Sequence, residues 1–226
     1  MNDVTLTIAV INAGVSDPSS TRLLADRIAQ KTVDTLRASG AEVTVAVIDL
    51  APIAVEIARS IVSGFPDEKV QAAIERLAVA DAIIASTPVY KAAISGLFKS
   101  FVDLIDNDLL VAKPVILAAT GGTARHAMIV DDHLRPLFAF LRAIPLPTSL
   151  YAAPQDWGST DLSKRIDRAA NELTKLLLSG APQQIADDNW SGYQHQFAGN
   201  ATRAERSTAD VDFDTDLMRL AAGGKS

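Results

Sequence analysis

"AIIASTPVYKAAISGLFKSFVDLI", residues 82–105, places a strand, a turn and a helix in immediate succession. Residues 82–86 are almost continuously apolar, as a strand covered by helices on both faces should be. Pro88 and Tyr90 then mark a turn. From Phe98 onward the apolar side chains recur at helical spacing, at Phe98, Phe101, Val102 and Ile105.

The same rhythm runs outward in both directions. Residues 6–11, 43–48, 115–119 and 149–152 read as further buried strands. Between them lie helical stripes at Leu24, Ile28, Val33 and Leu36, at Val70, Ile74 and Leu77, at Leu134, Leu137, Phe138 and Leu141, and at Ile166, Leu173 and Leu177. Five strands alternating with five helices predict an α/β fold with an open, doubly wound parallel sheet and right-handed crossovers. Such sheets take their ligands beyond the carboxyl ends of the strands, where strand order reverses.

Composition limits what that ligand is. The chain has 226 residues, 48% of them apolar, enough for one substantial core and an appendage. Its formal charge of -6 offers little to a nucleic-acid backbone or an anionic membrane, so a small molecule is the expected partner. The absence of cysteine excludes disulfides, thiolate catalysis and thiolate-bound metals. The apolar run that ends before Gly14 is too short for a signal peptide or a membrane span, so a soluble cytoplasmic protein is expected.

Three loops carry the candidate chemistry. Residues 12–22, between the first strand and helix, are dense in hydroxyls, with Ser19, Ser20 and Thr21 at the helix start and Arg22 behind them. Free N–H groups and hydroxyls at a helix N-terminus suit a phosphate, although a plain N-cap explains one of the three equally well. No Walker sequence is present, and a single glycine falls short of a dinucleotide-binding G-x-G-x-x-G. Asp49 ends the second strand where such a fold would keep its ribose-binding acid, but a lone Asp before a loop is more often a cap or turn residue. The loop after the third strand, with Pro88, Val89, Tyr90, Lys91 and Gly96, suits a flat ring, the alternative being an ordinary turn with Tyr90 packed into the core. After the fourth strand, Thr120, Gly121, Gly122 and Thr123 expose backbone N–H groups, or form a simple Gly-Gly turn. The three loops together describe a phosphorylated planar heterocycle, and FMN fits.

The blocks Thr87-Pro88-Val89-Tyr90-Lys91-Ala92-Ala93 with Ser95-Gly96, and Ala119-Thr120-Gly121-Gly122-Thr123 followed by Val130-Asp131 and Leu134-Arg135-Pro136, resemble the flavodoxin-like NAD(P)H-dependent FMN reductases. Within that family the resemblance is strongest to the reductases that supply luciferase-like and alkanesulfonate-type flavin monooxygenases, and it covers residues 5–180. It implies a five-stranded sheet of order 2-1-3-4-5, with FMN and NAD(P)H as cofactors. It also implies that Ser19, Ser20 and Thr21 hold the flavin phosphate, that Pro88 to Lys91 lie beside the isoalloxazine, and that Gly121 to Thr123 supply donors to its pyrimidine end. The first loop departs from the family in having Gly14-Val15-Ser16 where Gly-Ser-Pro is usual. Hydride transfer between the cofactors needs no protein acid or base, so His126 and His133 are left out of the site.

The resemblance further implies a homodimer or homotetramer and a flavin-dependent monooxygenase as possible recipient. A flavin-bound quinone or azo reductase and a flavodoxin-like one-electron carrier are the competing functions. Residues 1–180 read as the reductase domain and 181–226 as a C-terminal arm or partly disordered extension, in which Trp190, Tyr193 and Phe197, then Leu217, Met218 and Leu220, supply apolar groups.

Overall fold

The computed structural model describes residues 5–192. In chain order the elements are β1 (Thr5–Asn12), α1 (Ser20–Ala38), β2 (Glu42–Asp49), α2 (Ala54–Ser63), α3 (Glu68–Ala78), β3 (Ala82–Tyr90), β4 (Ala93–Ile94), α4 (Gly96–Val102), β5 (Pro114–Thr120), α5 (Arg135–Phe140), β6 (Ile144–Pro145), β7 (Leu150–Ala152), α6 (Thr160–Leu178) and α7 (Ala181–Gly192). A π-helical turn, Val130–Leu134, leads directly into α5.

The sheet runs β2-β1-β3-β5-β6, with β7 also pairing β5 and β4 pairing β3. All these pairings are parallel except the last. With β6 and β7 taken as one interrupted edge strand, this is the flavodoxin-like order 2-1-3-4-5. Side chains alternate along each central strand between two cores. Ile8, Val10, Ile84 and Ile116 pack with Leu24, Ile28 and Leu36 of α1 and Ile166 and Leu173 of α6. Ile11, Ile83, Val115 and Leu117 pack on the other face with Ile57, Ile74, Phe98, Phe101 and Phe138. Helices on both faces are why the strands read as unbroken apolar runs.

The sheet has seven strands where five were expected, and two local causes account for it. The third strand does not stop at Ser86 but continues to Tyr90, turns at Lys91 and Ala92, and pairs back as β4, with Val89 opposite Ile94 and Tyr90 opposite Ala93. The edge strand is broken between Pro145 and Leu150, because Pro145 and Pro147 have no N–H for the ladder. Side chains fill the break: Arg135 donates to the carbonyls of Leu146 (2.9 Å) and Pro147 (3.4 Å), and Glu172 accepts from the N–H (3.0 Å) and hydroxyl (2.6 Å) of Thr148. Asp131 completes the bracket by accepting from Arg135 Nε at 2.9 Å and from Ser149 Oγ at 2.6 Å. The Asp131 and Leu134-Arg135-Pro136 motif is therefore scaffold for the edge strand.

Two helices also exceed the expected five. Of these, α2 packs through Ile57 while Val55 and Val62 stay exposed, and α7 follows α6 after Gly180, whose φ of +69° breaks the helix. Trp190 falls in the last turn of α7. Tyr193, Phe197, Leu217, Met218 and Leu220 lie outside the described residues. Among the described residues no helix is long and apolar enough to cross a membrane.

Candidate active site

The first loop leaves β1 at Asn12, whose side chain is 4% exposed. Its Oδ1 accepts from the Gly14 N–H at 3.1 Å, and its Nδ2 donates to Asp49 Oδ1 at 2.8 Å. The loop folds back so tightly that a Cβ on Gly14 would lie 2.0 Å from Ser19 Oγ, so a larger residue here would have to displace the Ser19 side chain. Ser19 is the N-cap of α1, accepting from the Arg22 N–H at 3.2 Å. That satisfies one orphan donor and leaves the N–H groups of Ser20 and Thr21 without a partner among the described residues. The Ser20 side chain is exposed, whereas the Thr21 side chain is 2% exposed and bonded to Thr120 Oγ1 at 2.7 Å.

Arg22 does not supply free charge. Its Nε donates to Asp26 Oδ1 at 2.7 Å and one terminal nitrogen to Asp49 Oδ2 at 2.6 Å. The bond to Asp26 first, then Asp49 against partial desolvation, push the guanidinium further towards its protonated form. Asp49 acts here as an acceptor for both Asn12 and Arg22.

The second group of candidates sits on β3 and its turn. Pro88 is buried and lies beside Thr120 in the parallel register of β3 and β5. Val89 is half-buried, while Tyr90 is 50% exposed, so Tyr90 is not the core residue of the simple-turn reading. Lys91 and Ala92 take φ values of +49° and +60°. A two-residue hairpin turn of this kind normally requires Gly or Asn, and non-glycine residues held there store strain of the sort found at ligand sites. Below the turn, Thr87 Oγ1 accepts from the Ser95 N–H at 3.1 Å, and Ser95 Oγ caps α4 by accepting from the Phe98 N–H at 3.1 Å. Gly96 opens α4, and a Cβ there would meet no heavy atom within 4 Å.

The third loop rests on a residue that sequence reasoning missed. Tyr151 on β7 donates its hydroxyl to the Thr123 carbonyl at 2.6 Å, and a Cβ on Gly121 would lie 2.3 Å from that hydroxyl. Burial first, then the charge of Asp156, raise the Tyr151 phenol above its ordinary pKa. The Gly121 N–H donates to the Ala152 carbonyl at 3.2 Å, so Gly121 is not the free donor expected of it. Gly122 and Thr123 are, with no partner for their N–H groups among the described residues and open space over Gly122.

The structure draws these loops to one sheet edge. Thr21 and Thr120 join hydroxyl to hydroxyl, Ser86 Oγ donates to the Thr21 carbonyl at 3.2 Å, and Pro88 adjoins Thr120. No hydrogen bond ties Tyr90 or Lys91 side chains to the other candidates among the described residues; they stand exposed at the hairpin tip.

Comparison with known proteins identifies the family. The family model described as NADPH-dependent FMN reductase matches residues 6–158. The chain is 34% identical over 174 residues to an FMN reductase (NADPH) of Pseudomonas aeruginosa, covering 75% of this chain and 91% of the relative. It is 34% identical over 176 residues to the NADH-dependent FMN reductase SfnE of Pseudomonas putida, covering 76% and 92%. Among solved structures, an oxidoreductase from Corynebacterium diphtheriae superposes with a TM-score of 0.75 at 38% identity, covering 77% of this chain and 98% of the other. The chain belongs to the NADPH-dependent FMN reductase family.

Proposed function

We propose that this NAD(P)H-dependent FMN reductase seats the flavin phosphate on the start of α1, the ring beside Pro88, Val89, Tyr90, Lys91 and Gly96, and the pyrimidine end at Thr120, Gly122 and Thr123, with Gly121 as the close-packed support of that last loop. The observation that carries the reading is the stitching of Thr21, Ser86, Pro88 and Thr120 into one edge, which brings three loops with complementary donors to a single place. The residues fit the molecule. Two orphan N–H groups and the Ser19 and Ser20 hydroxyls suit a dianion at a positive helix end. Open space over Gly96 and Gly122 admits a flat ring, and Tyr90 offers an exposed aromatic face.

Bound FMN would supply the hydride acceptor for a reduced nicotinamide. The chain's part is to orient: the strained Lys91-Ala92 turn fixes where Tyr90 stands, and Tyr151 fixes the Thr123 backbone. The reading includes a homodimer or homotetramer, supported by the exposed apolar residues Val55, Ile61 and Val62 on α2 and Phe65 just after it. It includes release of reduced FMN to a flavin-dependent monooxygenase, and residues 1–180 as the reductase domain with 181–226 as an extension.

The test is binding. Replacing Ser19 and Ser20 together with alanine should weaken FMN binding at least about tenfold, from hydrogen bonds of roughly 1.5–3 kcal/mol each to a charged group, and leave riboflavin affinity unchanged. Equal losses for both flavins would remove the phosphate from α1.

A further inference from the structure

Arg22 is the one basic residue in the hydroxyl loop and the first turn of α1. A guanidinium at that place is well suited to bind a phosphate through paired N–H donors. Here it faces two carboxylates instead, Asp26 at 2.7 Å and Asp49 at 2.6 Å. This is more than a loose surface pair on one side. Asp49 ends β2 opposite Asn12 in the sheet register and is bonded to it, and Asn12 in turn holds the Gly14 N–H. Side-chain exposures of 37% for Arg22 and 38% for Asp49 show the clamp to be half sheltered, while Asp26, at 50%, closes it from the helix surface.

We propose that Asp26 and Asp49 are positioning residues that hold Arg22 away from the flavin phosphate, so that neutral N–H and hydroxyl donors alone grip FMN and the hold stays loose enough for the flavin to leave. The inference rests on the phosphate position argued above. One guanidinium against two carboxylates leaves the loop no net positive side chain. A dianion bound there gains from the helix dipole and from hydrogen bonds, and gains nothing from Arg22 until the clamp opens. Opening it should therefore tighten binding of the phosphorylated flavin and of no other.

The experiment titrates FMN and riboflavin into the full chain by flavin fluorescence. Wild type binding FMN more tightly than riboflavin tests the phosphate position by itself. Asp26→Asn should then tighten FMN about threefold to tenfold, a range kept small because the pair is partly exposed and screened, with riboflavin unchanged and a steeper loss of FMN affinity on adding salt. The gain should vanish when Arg22→Gln is combined with it. If Asp26→Asn does not fold, Asp49→Asn takes its place, since the amide keeps an oxygen for Asn12 Nδ2. Unchanged or weaker FMN binding overturns the clamp. A gain that persists with Arg22→Gln overturns it too, as general charge repulsion would suffice. FMN and riboflavin tightening together would overturn both the clamp and the phosphate position beneath it.

Discussion

Gly121 and Gly122 are adjacent, yet the structure assigns them opposite tolerances. A Cβ on Gly121 would lie 2.3 Å from Tyr151 Oη, 3.3 Å from Cζ and 3.5 Å from Cε2, while a Cβ on Gly122 would meet nothing within 4 Å. Tyr151 cannot easily swing aside, because its side chain is 4% exposed and its hydroxyl is bonded to Thr123. Gly121→Ala is overpacking against a fixed ring and should cost about 2 kcal/mol. At roughly 2–4 °C per kcal/mol for a chain of this size, the melting temperature should fall by about 4–8 °C. Gly122→Ala should stay within about 0.5 kcal/mol of wild type. Tyr151→Phe removes the clashing oxygen and one hydrogen bond, at about 1 kcal/mol. Combined with Gly121→Ala, the loss should fall short of the sum of the two single losses by about 1 kcal/mol, because the remaining 3.3 Å contact is tight but tolerable. Urea unfolding of the four variants reads this directly. Equal stabilities for Gly121→Ala and Gly122→Ala, or strict additivity in the double variant, would show that Tyr151 does not buttress this loop.

Three further outcomes follow from named contacts. Gly96→Val should leave the melting temperature within a few degrees of wild type, since its Cβ meets no protein atom, while flavin binding measured by fluorescence falls; unimpaired binding would place the ring elsewhere. Ala92→Gly should relieve left-handed strain at φ +60° and stabilise the fold by about 0.5–1 kcal/mol net of the added chain entropy, read by urea unfolding, and a loss of stability would mean that the turn is not strained. The Tyr151 phenol is raised by burial and by Asp156, so the folded chain keeps a proton that the unfolded chain loses near pH 10. The stability this contributes is fully present below that pH and is lost as pH rises through the higher folded value, so wild type should lose stability to Tyr151→Phe across that alkaline window; parallel curves for the two would deny the shift.

Much of the fold was legible because burial on both faces writes itself as uninterrupted apolar strands and three-to-four-residue stripes. Phe98, Phe101, Val102 and Ile105 are all buried as their spacing required. What escaped depended on contacts distant in sequence or on unsuitable local residues. The β3–β4 hairpin was invisible because Lys91 and Ala92 are poor turn residues, held at positive φ only by the folded context. Helix α2 was missed because exposed Val55, Ile61 and Val62 blur its apolar face. In the site, the hydroxyl loop and the Gly-Gly loop were found from composition, but their wiring was not. That Arg22 belongs to Asp26 and Asp49, and that Gly121 is glycine because of Tyr151 thirty residues later in the chain, are facts of register and packing. Asp49 carried a signal, since its place at the end of β2 marked it, but its partner Asn12 did not stand out as more than a strand end.

Anaerobic mixing of the purified chain with NADH or NADPH and each of FMN and riboflavin, following nicotinamide oxidation and flavin bleaching together, tests the reductase assignment most directly. Multiple turnovers with added FMN, faster than with riboflavin at equal low concentration, are expected with at least one of the two nicotinamides. Bleaching limited to one equivalent of tightly held flavin, or no nicotinamide oxidation above the protein-free rate, would contradict it.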